Sequence, residues 1–153
     1  TAPTVIRGNA SEIMALAGEC SRAKGVDSLA VSSDAKHAAL ALAKKYACVV
    51  CVSGAADLIT DGKYTTWVLN GHPLMPKVTG LGCTATALIG AFSAINPDTL
   101  EATVHAMTIM GICGELAAAQ AVGPGTLQVH LIDAFYNLTN EQIEAHWLDP
   151  ESK

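Results

Sequence analysis

Basic clusters are missing from this sequence. Nine Lys and Arg residues stand against 14 Asp and Glu in 153 positions, a formal net charge of −5. With no run of Lys or Arg to neutralise phosphates, nucleic acid and anionic membrane surfaces are not expected partners. Long apolar runs are missing too, since no uninterrupted stretch approaches the roughly 18 residues a membrane helix needs. The opening residues carry neither the basic-then-apolar pattern of a secretory signal nor an initiator Met. Cys20, Cys48, Cys51, Cys83 and Cys113 are odd in number and lie in apolar surroundings. That argues against a disulfide framework and fits a reducing, cytoplasmic setting. The histidines do not group at metal-ligand spacing, and His37 and His105 fall in helical stretches. Charge is scarce at 15%, while hydrophobic residues reach 50%. Such a surplus predicts buried helix faces or subunit contacts. The length suits a single domain over residues 1–153.

What is present reads as alternating strands and helices. Pro3 to Arg7 is a short extended segment, and Ile13, Met14, Leu16 and Ala17 then give a helical apolar face. Gly18 to Ser33 is mixed and polar, read as loop with the start of another element. Asp34 to Tyr46 is a strong helix former. Ala47 to Val52 is a β-branched and Cys run, the pattern of a strand buried on both faces. Cys48 and Cys51 have redox-motif spacing, but inside a strand their side chains face opposite sides. Leu58-Ile59-Thr60, Asp61-Gly62-Lys63 and Tyr64 to Leu69 read as a hairpin with an Asp-Gly turn, and Asn70 to Pro73 as a second turn. Asn96-Pro97-Asp98 stops one helix and starts another over Thr99 to Ala121; Gly123-Pro124-Gly125 breaks it before Leu127 to Leu138. Thr139 and Gln142 form a capping-box signal for a last helix ending near Trp147. The class is α/β.

The most informative junction is Lys77-Val78-Thr79-Gly80-Leu81-Gly82-Cys83, which ends an extended stretch and opens a helix from Thr84 through Ala94. Two glycines let the chain bend sharply, and the unpaired N–H groups of the helix start attract phosphate. Cys83 sits in that turn, where a thiolate can serve as base or nucleophile. An anion cradle beside a reactive side chain points to phosphoryl transfer, although a plain glycine loop before a core helix reads the same way. Arg7 ends a strand where open α/β sheets place ligand-binding groups, and its donor fork suits phosphate oxygens or a structural ion pair. Asn9 and Glu12 have capping-box spacing, and Glu12 alternatively supports Mg²⁺ on nucleotide phosphates. Ser53-Gly54 follows the buried strand at the same edge.

Taken together, the segments Arg7 to Ile13, Asp61-Gly62 with Asn70-Gly71-His72, Thr79 to Cys83, and Gly123 to Thr126 followed by Asp133 to Tyr136 resemble the hydroxyethylthiazole kinases. The resemblance implies a ribokinase-like three-layer sandwich with a mostly parallel central sheet. The family's chains are longer at the N-terminus, so it also implies that residues 1–153 are the C-terminal, nucleotide-binding and catalytic portion. The first strands, much of the thiazole pocket and an acidic metal-site residue would then lie in a separate N-terminal segment. Most ribokinase-like enzymes carry Asp where this chain has Cys83, and Cys there is a mark of the thiazole kinases. Leu81 departs from the commoner small residue or Thr, though its backbone N–H still serves the cradle.

The activity so implied is ATP-dependent phosphorylation of the hydroxyl of 4-methyl-5-(2-hydroxyethyl)thiazole in thiamine biosynthesis or salvage. Its partners are ATP, Mg²⁺ and the thiazole alcohol, in a homotrimer with thiazole sites between subunits. Arg7, Ser53, Gly80, Leu81 and Gly82 would contact the nucleotide, Gly80 the substrate alcohol, Glu12 the metal, and Cys83 the alcohol proton. The alternatives are a kinase for another small alcohol, against which Cys83 argues, and an inert nucleotide-binding fragment. A Cys acyl-transfer or hydrolytic enzyme would need a His–acid pair beside Cys83, with His72 and His130 the available histidines.

Overall fold

The computed structural model describes residues 2–18 and 33–149. Cys20 and nearly all of the polar Gly18 to Ser33 stretch lie outside them. A strand β1 (Val5–Asn9) leads directly into helix α1 (Ala10–Ala17), and α2 (Ser33–Tyr46) precedes strand β2 (Val49–Ser53). Strands β3 (Asp57–Thr60) and β4 (Thr65–Val68) form a hairpin around Asp61-Gly62. Gly62 takes a left-handed φ of 89° there, and the Asp61 carboxylate accepts the N–H groups of Lys63 and Tyr64. Helices α3 (Leu81–Ser93), α4 (Thr99–Ala118), α5 (Pro124–Asn137) and α6 (Asn140–His146) complete the order. No helix among the described residues is long and apolar enough to cross a membrane.

The described strands form one sheet in the order β1-β2-β3-β4, and it is mixed rather than parallel throughout. β1 and β2 pair parallel with Arg7 opposite Cys51 and Asn9 opposite Ser53, whereas β2–β3 and β3–β4 are antiparallel. The alternation of β2 divides the core into two layers. Val49 and Cys51 face α3, α4 and α5, while Val50 and Val52 face α1 and α2. Helices therefore cover both faces of the sheet, which is why β2 is apolar at every position but the last. Cys48 and Cys51 enter opposite layers, as strand alternation requires, so the pair forms no dithiol site.

Before α3 the chain departs from the sequence reading. Met75–Lys77 is a short 3₁₀ turn rather than extended chain, and α3 begins at Leu81 rather than Thr84. Gly80, at φ 91°, is the N-cap and makes the bend alone. Cys83 is thus the third residue of the helix. The segment entering this turn is held by close packing on α4. A Cβ on Gly111 would lie 2.5 Å from the Asn70 carbonyl oxygen, and one on Gly114 would strike the Met75 sulfur. Glu115, one residue on, accepts the Gly71 N–H at 2.7 Å and the Asn70 amide at 3.1 Å. The same carboxylate meets His146 Nδ1 at 3.4 Å, tying α6 to this loop. Small residues on α4 and one carboxylate therefore fix where the glycine turn sits.

Candidate active site

The parallel pairing of β1 and β2 brings their C-terminal ends to one edge of the sheet, where open α/β folds gather ligand-binding groups. Arg7 Nη2 donates to Ser53 Oγ at 2.8 Å across the strands, and Ser53 Oγ donates to the Gly8 carbonyl at 3.3 Å. The Arg7 guanidinium also lies against the first turn of α3. A Cβ on Gly82 would meet Arg7 Nη1 at 2.5 Å, so only glycine leaves the guanidinium its place. Gly80 offers no side chain to cap α3. By helix geometry the N–H groups of Leu81, Gly82 and Cys83 have no partner within the helix, and they carry its positive end.

Three features on the protein side suit an anion here. The helix start is uncapped, an arginine packs on it, and Arg7 Nε is buried without a hydrogen-bond partner. A phosphate group at this point would meet backbone donors and a guanidinium together. A small cavity of about 120 Å³ opens beside the turn, lined by Thr79, Gly80, Leu81 and Thr84 and by residues of α5 including Gln128 and Phe135.

Cys83 carries a free thiol exposed to solvent, whereas Cys48, Cys51 and Cys113 are free and buried. Burial pushes the Cys113 thiol up to about 11. Burial likewise drives Cys51 far up, with the Asp57 charge adding to the shift and Arg7 opposing it. No His–acid pair stands against Cys83 among the described residues. His72 Nδ1 accepts the Leu74 N–H, and the His–carboxylate contact in the structure is His146 with Glu115.

Glu12 caps α1. Its Oε2 accepts the Asn9 N–H at 2.7 Å, while Asn9 Oδ1 accepts the Glu12 N–H at 3.0 Å, a reciprocal capping box. Among the described residues its side-chain hydrogen bonds are with Asn9, and none links it to the α3 turn. Among the described residues no three His, Cys, Asp or Glu cluster closely enough to hold a metal by themselves. The arrangement thus joins Arg7, Ser53, Gly82 and the Gly80–Cys83 turn, with Glu12 at the same edge but in a separate cap.

Sequence reasoning passed over Asp57. It opens β3 with only 7% of its surface exposed, and its Oδ1 accepts the Gly54 N–H at 2.9 Å. Burial raises its carboxyl to about 6, an effect that the Gly54 N–H and the positive charge of Arg7 partly offset. The available signal was a carboxylate three residues after Gly54, at the head of an otherwise apolar strand.

A family model described as the hydroxyethylthiazole kinase family matches residues 1–141. A hydroxyethylthiazole kinase of Oleidesulfovibrio alaskensis is 50% identical over 142 residues, covering 93% of this chain and 53% of the relative. One from Granulibacter bethesdensis is 51% identical over 150 residues, covering 97% and 55% respectively. The solved structure of a hydroxyethylthiazole kinase from Pyrococcus horikoshii superposes with a TM-score of 0.82 at 36% identity, over 94% of this chain and 53% of that one. The chain spans about half the length of the relatives it matches.

Proposed function

The chain belongs to the hydroxyethylthiazole kinase family, and from that premise we propose that the protein phosphorylates the hydroxyl of 4-methyl-5-(2-hydroxyethyl)thiazole with ATP, a step of thiamine biosynthesis or salvage. The observation that carries the reading is the uncapped start of α3 with the Arg7 guanidinium packed on Gly82. When bound, ATP supplies the phosphoryl group and Mg²⁺ spreads its charge. Arg7 and Ser53 contact ATP, with the Arg7 guanidinium donating to phosphate oxygens, and the N–H groups of Leu81, Gly82 and Cys83 offset the charge that develops during transfer. The bend at Gly80 lets the substrate alcohol approach the same point. The alcohol oxygen gains a bond to phosphorus as the bridge to ADP breaks, and its proton passes to Cys83 or is relayed by it. Glu12 would help to hold Mg²⁺ through the carboxylate capacity not spent on the Asn9 N–H.

Residues 1–153 form the nucleotide-binding, catalytic portion of this kinase in the same reading. The protein works in the cytoplasm as a homotrimer with thiazole sites between subunits. Support for subunit contact comes from the exposed apolar stripe of Val129, Ile132 and Tyr136 on α5, and support for a reducing setting comes from the free buried thiols.

The test is phosphoryl transfer from labelled ATP by the protein carrying this chain to the thiazole alcohol, a hydroxymethylpyrimidine and pyridoxal. Preferential labelling of the thiazole alcohol is expected. Transfer to another alcohol instead would move the substrate assignment. ATP binding with no transfer would leave only a nucleotide-binding module, and no ATP binding would end the kinase reading.

A further inference from the structure

We propose that Asp57 is a positioning residue for nucleotide binding, holding the loop between β2 and β3 so that Ser53 aims the Arg7 guanidinium at the start of α3. The proposal rests on the kinase reading above. Its chain of contacts is short. Asp57 Oδ1 accepts the Gly54 N–H at 2.9 Å and so closes the tight turn from Ser53 to the first residue of β3. Ser53, the last residue of β2, is thereby fixed in register opposite Asn9, with its hydroxyl donating to the Gly8 carbonyl. From there it accepts Arg7 Nη2 at 2.8 Å. No other side chain hydrogen-bonds the guanidinium among the described residues, and Nε is buried without a partner. The bond from Ser53 therefore carries the orientation of a group that packs within van der Waals reach of Gly82.

A buried carboxylate at the head of an apolar strand is costly, and nothing in strand packing demands one there. An apolar β-branched residue such as Val would suit the strand better. The charge of Arg7 and the Gly54 N–H are what hold the Asp57 carboxyl below where burial alone would put it, which marks these three groups as one electrostatic unit. Asp57 touches neither Gly80 nor Cys83 through any hydrogen bond, so its effect on phosphate passes through Gly54, Ser53 and Arg7.

The experiment compares Asp57→Val, Asp57→Ala and Asp57→Asn in the protein carrying this chain, with ATP as the probe. Direct ATP titration is paired with steady-state kinetics on the thiazole alcohol and with thermal melts. Val and Ala remove the acceptor, and both are expected to raise Kd and KM for ATP about tenfold while kcat stays within about twofold. Asn keeps an oxygen for the Gly54 N–H and should restore ATP affinity to the wild-type value or slightly tighter. In a Ser53→Ala background, Asp57→Val should add less than about twofold, because both changes cut one path. If the alanine variant fails to fold, the Val variant carries the comparison. Unchanged ATP affinity in the Val variant, an Asn variant as weak as Val, or fully additive effects with Ser53→Ala would each overturn the proposal. Wild-type protein that binds no ATP would instead defeat the kinase reading, and this proposal with it.

Discussion

Arg7 occupies the space that any side chain at position 82 would need, with Nη1 2.5 Å from where a Gly82 Cβ would stand. The second glycine of the turn is therefore kept for a neighbour's approach and not for backbone freedom. Gly80 alone, at φ 91°, takes a conformation that other residues rarely adopt.

Gly82→Ala separates these roles. Alanine favours the helix by about 0.5–1 kcal/mol, and the atom it strikes is the movable end of a side chain. Stability should therefore hold or rise slightly. Displacing Arg7 from the helix start should weaken ATP binding about tenfold or more. Isothermal titration beside a thermal melt reads both quantities, and unaltered affinity would remove Arg7 from the nucleotide site.

Cys83 is expected to take or relay the alcohol proton. A base at that point contributes about a hundredfold or more, so Cys83→Ser should lower turnover by that order. Cys83→Asp should keep or restore it, because a carboxylate is the base the resemblance implies for related kinases. ATP affinity should change little in either, since backbone N–H groups make the cradle. Wild-type turnover in the serine variant would leave positioning and Mg²⁺ to carry the reaction.

Glu12→Gln preserves an acceptor oxygen for the Asn9 N–H, so the capping box survives and the melting temperature should stay within about 2 °C. A ligand role predicts that the Mg²⁺ concentration for half-maximal activity rises. An Mg²⁺ titration that does not move would leave Glu12 as a cap alone.

Asp57 also makes stability depend on pH. Its carboxyl is raised from 3.8 to about 6 in the folded chain, so the unfolded chain releases the proton first as pH rises. The associated stability is complete below about pH 4 and is lost as pH climbs through about 6, roughly 3 kcal/mol in all. Asp57→Asn should flatten that segment of the profile, giving a variant more stable than wild type at pH 7 and no more stable at pH 4. Urea unfolding at the two pH values checks it, and parallel profiles for the two proteins would contradict it.

The sequence by itself determined the α/β class, the order of elements, both capping boxes, the Asp61-Gly62 hairpin and the burial of β2. Each rests on contacts a few residues apart: the Asn9–Glu12 and Thr139–Gln142 reciprocal bonds, the Asp61 turn, and the apolar run of β2. Its motif blocks also identified the family. The start of α3 was misplaced by three residues, because Gly80 alone takes the left-handed bend, at a point set by the packed 70–75 segment, and leaves Leu81 and Gly82 free to coil. Only the tertiary structure could show that Arg7 meets Ser53 from 46 residues away, that Gly82 is small for Arg7, and that Asp57 stands behind both. Those relationships follow from the parallel register of β1 and β2 and the closure of α3 onto that edge, and no periodicity in the chain encodes a register between distant strands.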